Sequence, residues 1–187
     1  MITRVCSGFS PRGRLDYGDA FLAAFDKRWP AEVELQVYVE EPIAMPRGAC
    51  RDLWAIPGAR EFHVKHAENA DAQGRVPHGN WKHAEQRRGY SFRHDAYKFW
   101  KQILIPQAAA EGLMHGDILV WLDADVETIR RVPAGFVDGL LGDSDVCYLG
   151  RARQHSEIGF WAVRINSETR NFLCFLAEFY TRGLVFD

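Results

Sequence analysis

The chain reads as an α/β protein, a three-layer α/β/α sandwich around a mostly parallel, mixed sheet. Three observations predict this. Val33, Leu35, Val37 and Val39 alternate with Glu34, Gln36 and Tyr38, the period of two expected of a strand. Ile118-Leu119-Val120-Trp121-Leu122 is an unbroken apolar run, as in a central strand covered on both faces. Between such stretches lie segments with apolar residues at helical spacing, such as Phe21, Leu22, Phe25 and Trp29. At 187 residues, 47% of them hydrophobic and 13% aromatic, the chain is sized for one domain, residues 1–187, with a substantial core.

Taken in order, residues 2–7 form the first strand, ended by the turn-prone Gly8-Phe9-Ser10-Pro11-Arg12-Gly13. A helix follows, capped by Asp16 and stopped by Pro30. The alternating strand comes next. Residues 61–64 read as a short strand, and residues 66–92, rich in Gly, Pro, Asn and His without a period, as a long surface loop. A helix resumes near Asp95, with Ala96, Phe99, Trp100, Ile103 and Leu104 as its buried stripe and Pro106 kinking or breaking it. Beyond the central strand a short helix starts at Pro133. Strands span residues 146–149 and 158–165. Residues 167–182 close the chain as a helix that turns Phe172, Phe175, Leu176 and Phe179 inward and stops at Gly183.

Composition excludes several classes. A net charge of −2 gives no global attraction to nucleic acid. Residues 57–102 are locally basic, with nine Lys or Arg against five Asp or Glu, but the acidic stretch from Glu111 to Asp145 repels a phosphate backbone. Cys6, Cys50, Cys147 and Cys174 lack both CxxC spacing and the density of a disulfide scaffold, so a reducing, cytoplasmic location is expected. His63 and His66, and His78 and His83, have neither a paired cysteine nor an acidic motif to make a zinc site. The start of the chain has no apolar signal region, and no run is long enough to span a bilayer.

The chemistry concentrates at Asp123-Ala124-Asp125, which directly follows the apolar strand. In open α/β sheets ligands collect at the carboxyl ends of strands. Two carboxylates two residues apart in extended chain point to one side, and their hard oxygens suit Mg²⁺ or Mn²⁺ bridging phosphates. A second copy of the pattern, Asp143-Ser144-Asp145, precedes a strand and therefore belongs to the other end of the sheet.

The segment Val120-Trp121-Leu122-Asp123-Ala124-Asp125-Val126 resembles the DxD region of GT-A glycosyltransferases, nearest to the glycogenin-like group. Residues 97–106 resemble the helix preceding that strand, and residues 156–163 its sugar- and acceptor-facing strand. The likeness covers about half the chain, from Arg93 onward. It implies a nucleotide-diphospho-sugar transferase fold and transfer of a sugar from a UDP- or GDP-sugar to an unidentified acceptor, with Mn²⁺ or Mg²⁺ as cofactor. In such enzymes the first aspartate touches ribose or metal and the second binds metal, which implies those roles for Asp123 and Asp125. Ser7 and Gly8 fall where these proteins receive the nucleotide, although Gly8 is equally a turn residue. Arg93, Lys98 and Lys101 are cations available to a diphosphate. Glu157 falls beside the transferred sugar, as a general base in an inverting enzyme or a stabiliser of cationic sugar in a retaining one.

The resemblance has gaps. Related enzymes supply a third metal ligand, often His, from beyond the last helix, so the expectation is a domain lacking its C-terminal segment or a site completed by water or a partner. The rival readings are a haloacid-dehalogenase-like phosphatase, a sugar-nucleotide nucleotidyltransferase and an inactive nucleotide-sugar-binding module. The first normally needs Thr or Val where Glu127 stands; the second needs a Gly-rich loop that residues 8–14 match only loosely.

Overall fold

The computed structural model describes residues 1–75, 89–90, 95–152 and 157–184. Six strands form one mixed sheet: β1 (Thr3–Phe9), β2 (Glu34–Val39), β3 (Ala49–Asp52), β4 (Ile118–Leu122), β5 (Val146–Leu149) and β6 (Glu157–Arg164). Their order is β3-β2-β1-β4-β6-β5. β1 runs parallel to β2 and to β4, and β2 parallel to β3. β6 is antiparallel to both β4 and β5, so β5 points the same way as β4.

Helices cover both faces. One core packs α1 (Asp19–Arg28) and α4 (Phe136–Leu141) against Val5, Val37, Val120 and Ala162. The other packs α2 (Ala59–His66), α3 (Ala96–Ala109) and α5 (Ser167–Thr181) against Cys6, Tyr38, Trp121 and Val163. β4 is buried along its whole length, as its apolar run requires. β2 is covered on both faces too, against the half-buried pattern its alternation predicts. Its polar positions satisfy each other, because the Tyr38 hydroxyl donates to Gln36 Oε1 at 3.2 Å.

Several elements differ from the sequence reading for identifiable reasons. The first strand does not end at Gly8. It continues through Phe9, with Gly8 paired to Tyr38 and Phe9 to Val39. The helix after it is not capped by Asp16. A helical turn begins at Pro11, where Ser10 Oγ accepts from the Gly13 N–H at 3.1 Å, and passes through a π-helical turn over Arg14–Gly18 into α1. Asp16 lies inside that turn, ion-paired with Arg12.

Residues 61–64 are helical, not extended. Ala59, Phe62 and His66 at three- and four-residue spacing share the buried face of α2, and His66 is a core residue, not a loop one. β3 went unpredicted because Ala-Cys-Arg-Asp carries no β-branched or aromatic residue. Pro106 does not end α3. The helix runs to Ala109, and the Pro106 carbonyl accepts from Ala110 N–H at 3.0 Å, so only the bond that proline cannot donate is lost. α4 starts at Phe136, three residues after Pro133.

α5 is turned differently from its largest residues. Thr169, Leu173 and Ala177 face the core, while Phe172 and Phe175 are exposed. Asn166 and Thr169 cap it reciprocally, the Thr169 N–H donating to Asn166 Oδ1 at 2.8 Å and the Asn166 N–H to Thr169 Oγ1 at 2.9 Å. That cap and the small Thr169 and Ala177, which permit close approach to α3, set the rotation.

Candidate functional site

The strand order reverses between β1 and β4. The chain builds outward from β1 through β2 to β3, then returns to lay β4 on the other side of β1. At such a switch point the connections leave in opposite directions and open a crevice at the carboxyl ends of the two strands. Asp123 is the first residue past β4 at that edge.

Local bonding holds it there. The Asp123 N–H donates to the Gly159 carbonyl of β6 at 2.8 Å, and the Asp123 carbonyl accepts from Val126 N–H at 3.0 Å, which folds the two aspartates into a tight turn. Ala124 points into the core of α1 and α4. Asp123 faces α3, where Gln102 Nε2 donates to its Oδ2 at 2.9 Å. Asp125 is exposed.

The electrostatics show which groups share the crevice. The Asp123 carboxyl is pushed up to about 6, first by burial, then by the Asp125 charge; Lys98 opposes the shift and Glu157 adds to it. Lys98 lies one helical turn before Gln102, exposed and in no ion pair among the described residues. Tyr17, at the end of the π-helical turn, has its hydroxyl raised by burial, then by the Asp125 and Asp123 charges. It overlooks the same pair. Glu157 opens β6, with Oε1 accepting from Gly159 N–H at 3.2 Å and Oε2 paired to Arg151.

Asp123, Asp125, Lys98 and Glu157 thus come together. Tyr17 and Gln102 join them unpredicted: Tyr17 lies in no motif, Gln102 falls within residues 97–106 but carried no assigned role, and both arrive through tertiary packing. Asp143 and Asp145 precede β5, which parallels β4, and so occupy the opposite edge.

Three assignments fall on residues that are already packed or paired. Ser7 is fully buried on the α1 face of β1, its Oγ without a hydrogen-bond partner among the described residues. Gly8 is a close-packing residue on the α3 face and not a turn: a Cβ there would stand 2.4 Å from Ile105 Cδ1 and 3.0 Å from the Tyr38 carbonyl. Lys101 is paired with Glu40. Arg93, His78 and His83 lie outside the described residues. His63 meets the Tyr97 hydroxyl and the Trp54 ring and does not join His66 in a metal site.

Among the described residues no group of three or more His, Cys, Asp or Glu is arranged to hold a metal ion. Asp123 and Asp125 are the two carboxylates at the strand end itself, with Glu157 engaged by Arg151. The donor set still fits one hard cation, because the Asp125 charge raises the Asp123 carboxyl and a cation between them would relieve that repulsion. Mg²⁺-type ions bind by one or two carboxylates, with phosphates and water completing the shell.

Fold and site together define an α/β protein with a carboxylate-bearing crevice at the switch point of a six-stranded mixed sheet. Neither protein-family models nor the sequences of curated proteins give a match to the chain. Among the described residues, no helix is long and apolar enough to cross a membrane.

Proposed function

We propose that the chain is a GT-A-type glycosyltransferase domain, transferring a sugar from a UDP- or GDP-sugar to an acceptor with Mn²⁺ or Mg²⁺ as cofactor, in the cytoplasm. The observation that carries this reading is the placement of Asp123 and Asp125, close enough that the Asp125 charge acts on Asp123, at the carboxyl edge where β1 and β4 diverge. The opposing Lys98 adds a cation of the kind a diphosphate needs.

Asp123 and Asp125 would hold the divalent ion, which supplies the counter-charge to a departing diphosphate. Gln102 fixes one Asp123 oxygen by its amide donor, so the other is left for ligand. Lys98 offers an ammonium to phosphate oxygens from the helix above, a contact that strengthens as negative charge builds on the leaving group. Tyr17 closes the crevice from the β1 side. Glu157 is held in one place by Arg151 and the Gly159 N–H, as a group that acts on a proton or a cationic sugar must be.

Calorimetry tests this directly. UDP or GDP is expected to bind more tightly with Mn²⁺ than without it, and equal affinity in both conditions would remove the metal bridge and the reading built on it.

A further inference from the structure

The two edges of the sheet are unlike. β3 closes one edge with Arg51 and Asp52, exposed charges of the kind that keep edge strands from pairing with other chains. β5 closes the other with Val146-Cys147-Tyr148-Leu149, which holds no charge. Tyr148 is 59% exposed and Val146 43%. α4 packs beside β5 and presents exposed Phe136 and Leu140.

The ladder fixes which backbone groups of β5 face outward. The Arg164 N–H donates to the Asp145 carbonyl at 2.8 Å, so Asp145 directs its backbone toward β6. In an antiparallel ladder a residue points both groups one way and its neighbours point theirs the other. Val146 and Tyr148, which pair regularly with Val163 and Trp161 before the register shifts at Leu149, therefore turn N–H and C=O away from the sheet.

The flanking charges are self-complementary. Asp143 and Asp145 precede the strand and Arg151 follows it. Antiparallel pairing of this edge with its own copy about Tyr148 sets Tyr148 opposite Tyr148, with the outward-facing Val146 on either side of the axis. The same register sets each Asp145 opposite an Arg151. Backbone parity and charge were read independently, and they select one alignment. Asp145 turns its backbone toward β6, so across the two-fold it stands at a non-hydrogen-bonded position, the closer kind, facing Arg151. Arg151 already meets Glu157 within its chain, but a guanidinium has five donors and serves two carboxylates.

We propose that the chain forms a two-fold homodimer through β5, joining two six-stranded sheets into one continuous sheet with Tyr148 on the axis. A four-residue edge alone falls short of the roughly 1,000 Å² of a stable interface, and Phe136 and Leu140 of α4 widen the apolar contact. Such an interface is isologous, each copy contributing the same patch.

Charge reversal gives a test that ordinary destabilisation does not imitate. Sedimentation velocity over a concentration series is expected to show a wild-type dimer. Asp145→Arg alone opposes Arg to Arg, and Arg151→Asp alone opposes Asp to Asp, so each variant sediments as monomer at concentrations where wild type is paired. An equimolar mixture of the two restores opposite charges at both contacts and the dimer returns. Amide hydrogen exchange on wild type supplies a readout free of substitutions: the Val146 and Tyr148 amides exchange more slowly as concentration rises. A wild-type monomer throughout, single variants that still dimerise, a mixture that stays monomeric while circular dichroism shows both variants folded, or exchange at Val146 and Tyr148 independent of concentration would each overturn the proposal.

Discussion

Asp123→Asn isolates the cost of holding a carboxylate where the fold holds this one. The Asp123 carboxyl titrates at about 6 in the folded chain, against an ordinary value of 3.8, chiefly because of burial and the neighbouring Asp125 charge. The folded state therefore keeps this proton through a pH window in which the unfolded state has lost it. Because the folded state binds more protons there, stability falls as pH rises from about 3.8 to about 6, and the penalty is constant above that. About two pH units at ~1.36 kcal/mol each set a ceiling of about 3 kcal/mol. Asp123 is only partly buried, and solvent screening lowers the expectation to about 1–1.5 kcal/mol. Asn keeps the shape and an oxygen for Gln102 but carries no charge. Urea unfolding of both proteins near pH 4 and near pH 7.5, without divalent ions, is expected to show the advantage of Asn over Asp growing by that amount at the higher pH. Titrating groups that do not couple to Asp123 cancel in the difference. An advantage that is the same at both pH values would refute the account of Asp123 as a strained, ligand-ready carboxylate.

Asp125→Asn is expected to lower Mn²⁺-dependent UDP or GDP binding roughly tenfold or more, with folding intact, because one of two ligand charges is gone. Asp143→Asn leaves it unchanged in the same calorimetric titration, and equal losses would mean that the wrong pair was chosen. Glu157→Gln is expected to keep nucleotide affinity and lose transfer by roughly a hundredfold, the scale of general acid–base groups, in a steady-state assay of sugar transfer. Transfer near the wild-type rate would make Glu157 a bystander. Gly8→Ala forces a methyl toward Ile105 Cδ1 and the Tyr38 carbonyl and is expected to cost about 1–3 kcal/mol in urea unfolding, with nucleotide affinity of the folded fraction unchanged. Weakened nucleotide binding at unaltered stability would return Gly8 to the site.

Much of the architecture was legible wherever one physical requirement dominated. The apolar run of β4 admits only a position covered on both faces, and the Phe21, Leu22 and Phe25 spacing admits only a helix against the sheet. Asp123-Ala124-Asp125 was legible for the same reason, since a charged turn directly after a fully buried strand marks the strand's carboxyl end. Residues 61–64 were misread because four residues do not separate a period of two from one of 3.6. α5 was misread because hydrophobicity predicts which residues prefer burial, not which ones the neighbouring helix leaves room for; Thr169 and Ala177 went in and Phe172 and Phe175 stayed out.

By itself, then, the sequence determined the central strand, most of the helices and the aspartate pair, all consequences of local pattern within a few residues. Only the tertiary structure decided that Tyr17 and Gln102 join those aspartates, that Ser7 is buried away from them, and that β1 and β4 lie side by side across more than a hundred residues of chain. Strand order and the partners of a side chain come from closing long loops against competing contacts. That is a balance of packing and chain entropy over the whole molecule, which no short stretch of sequence records.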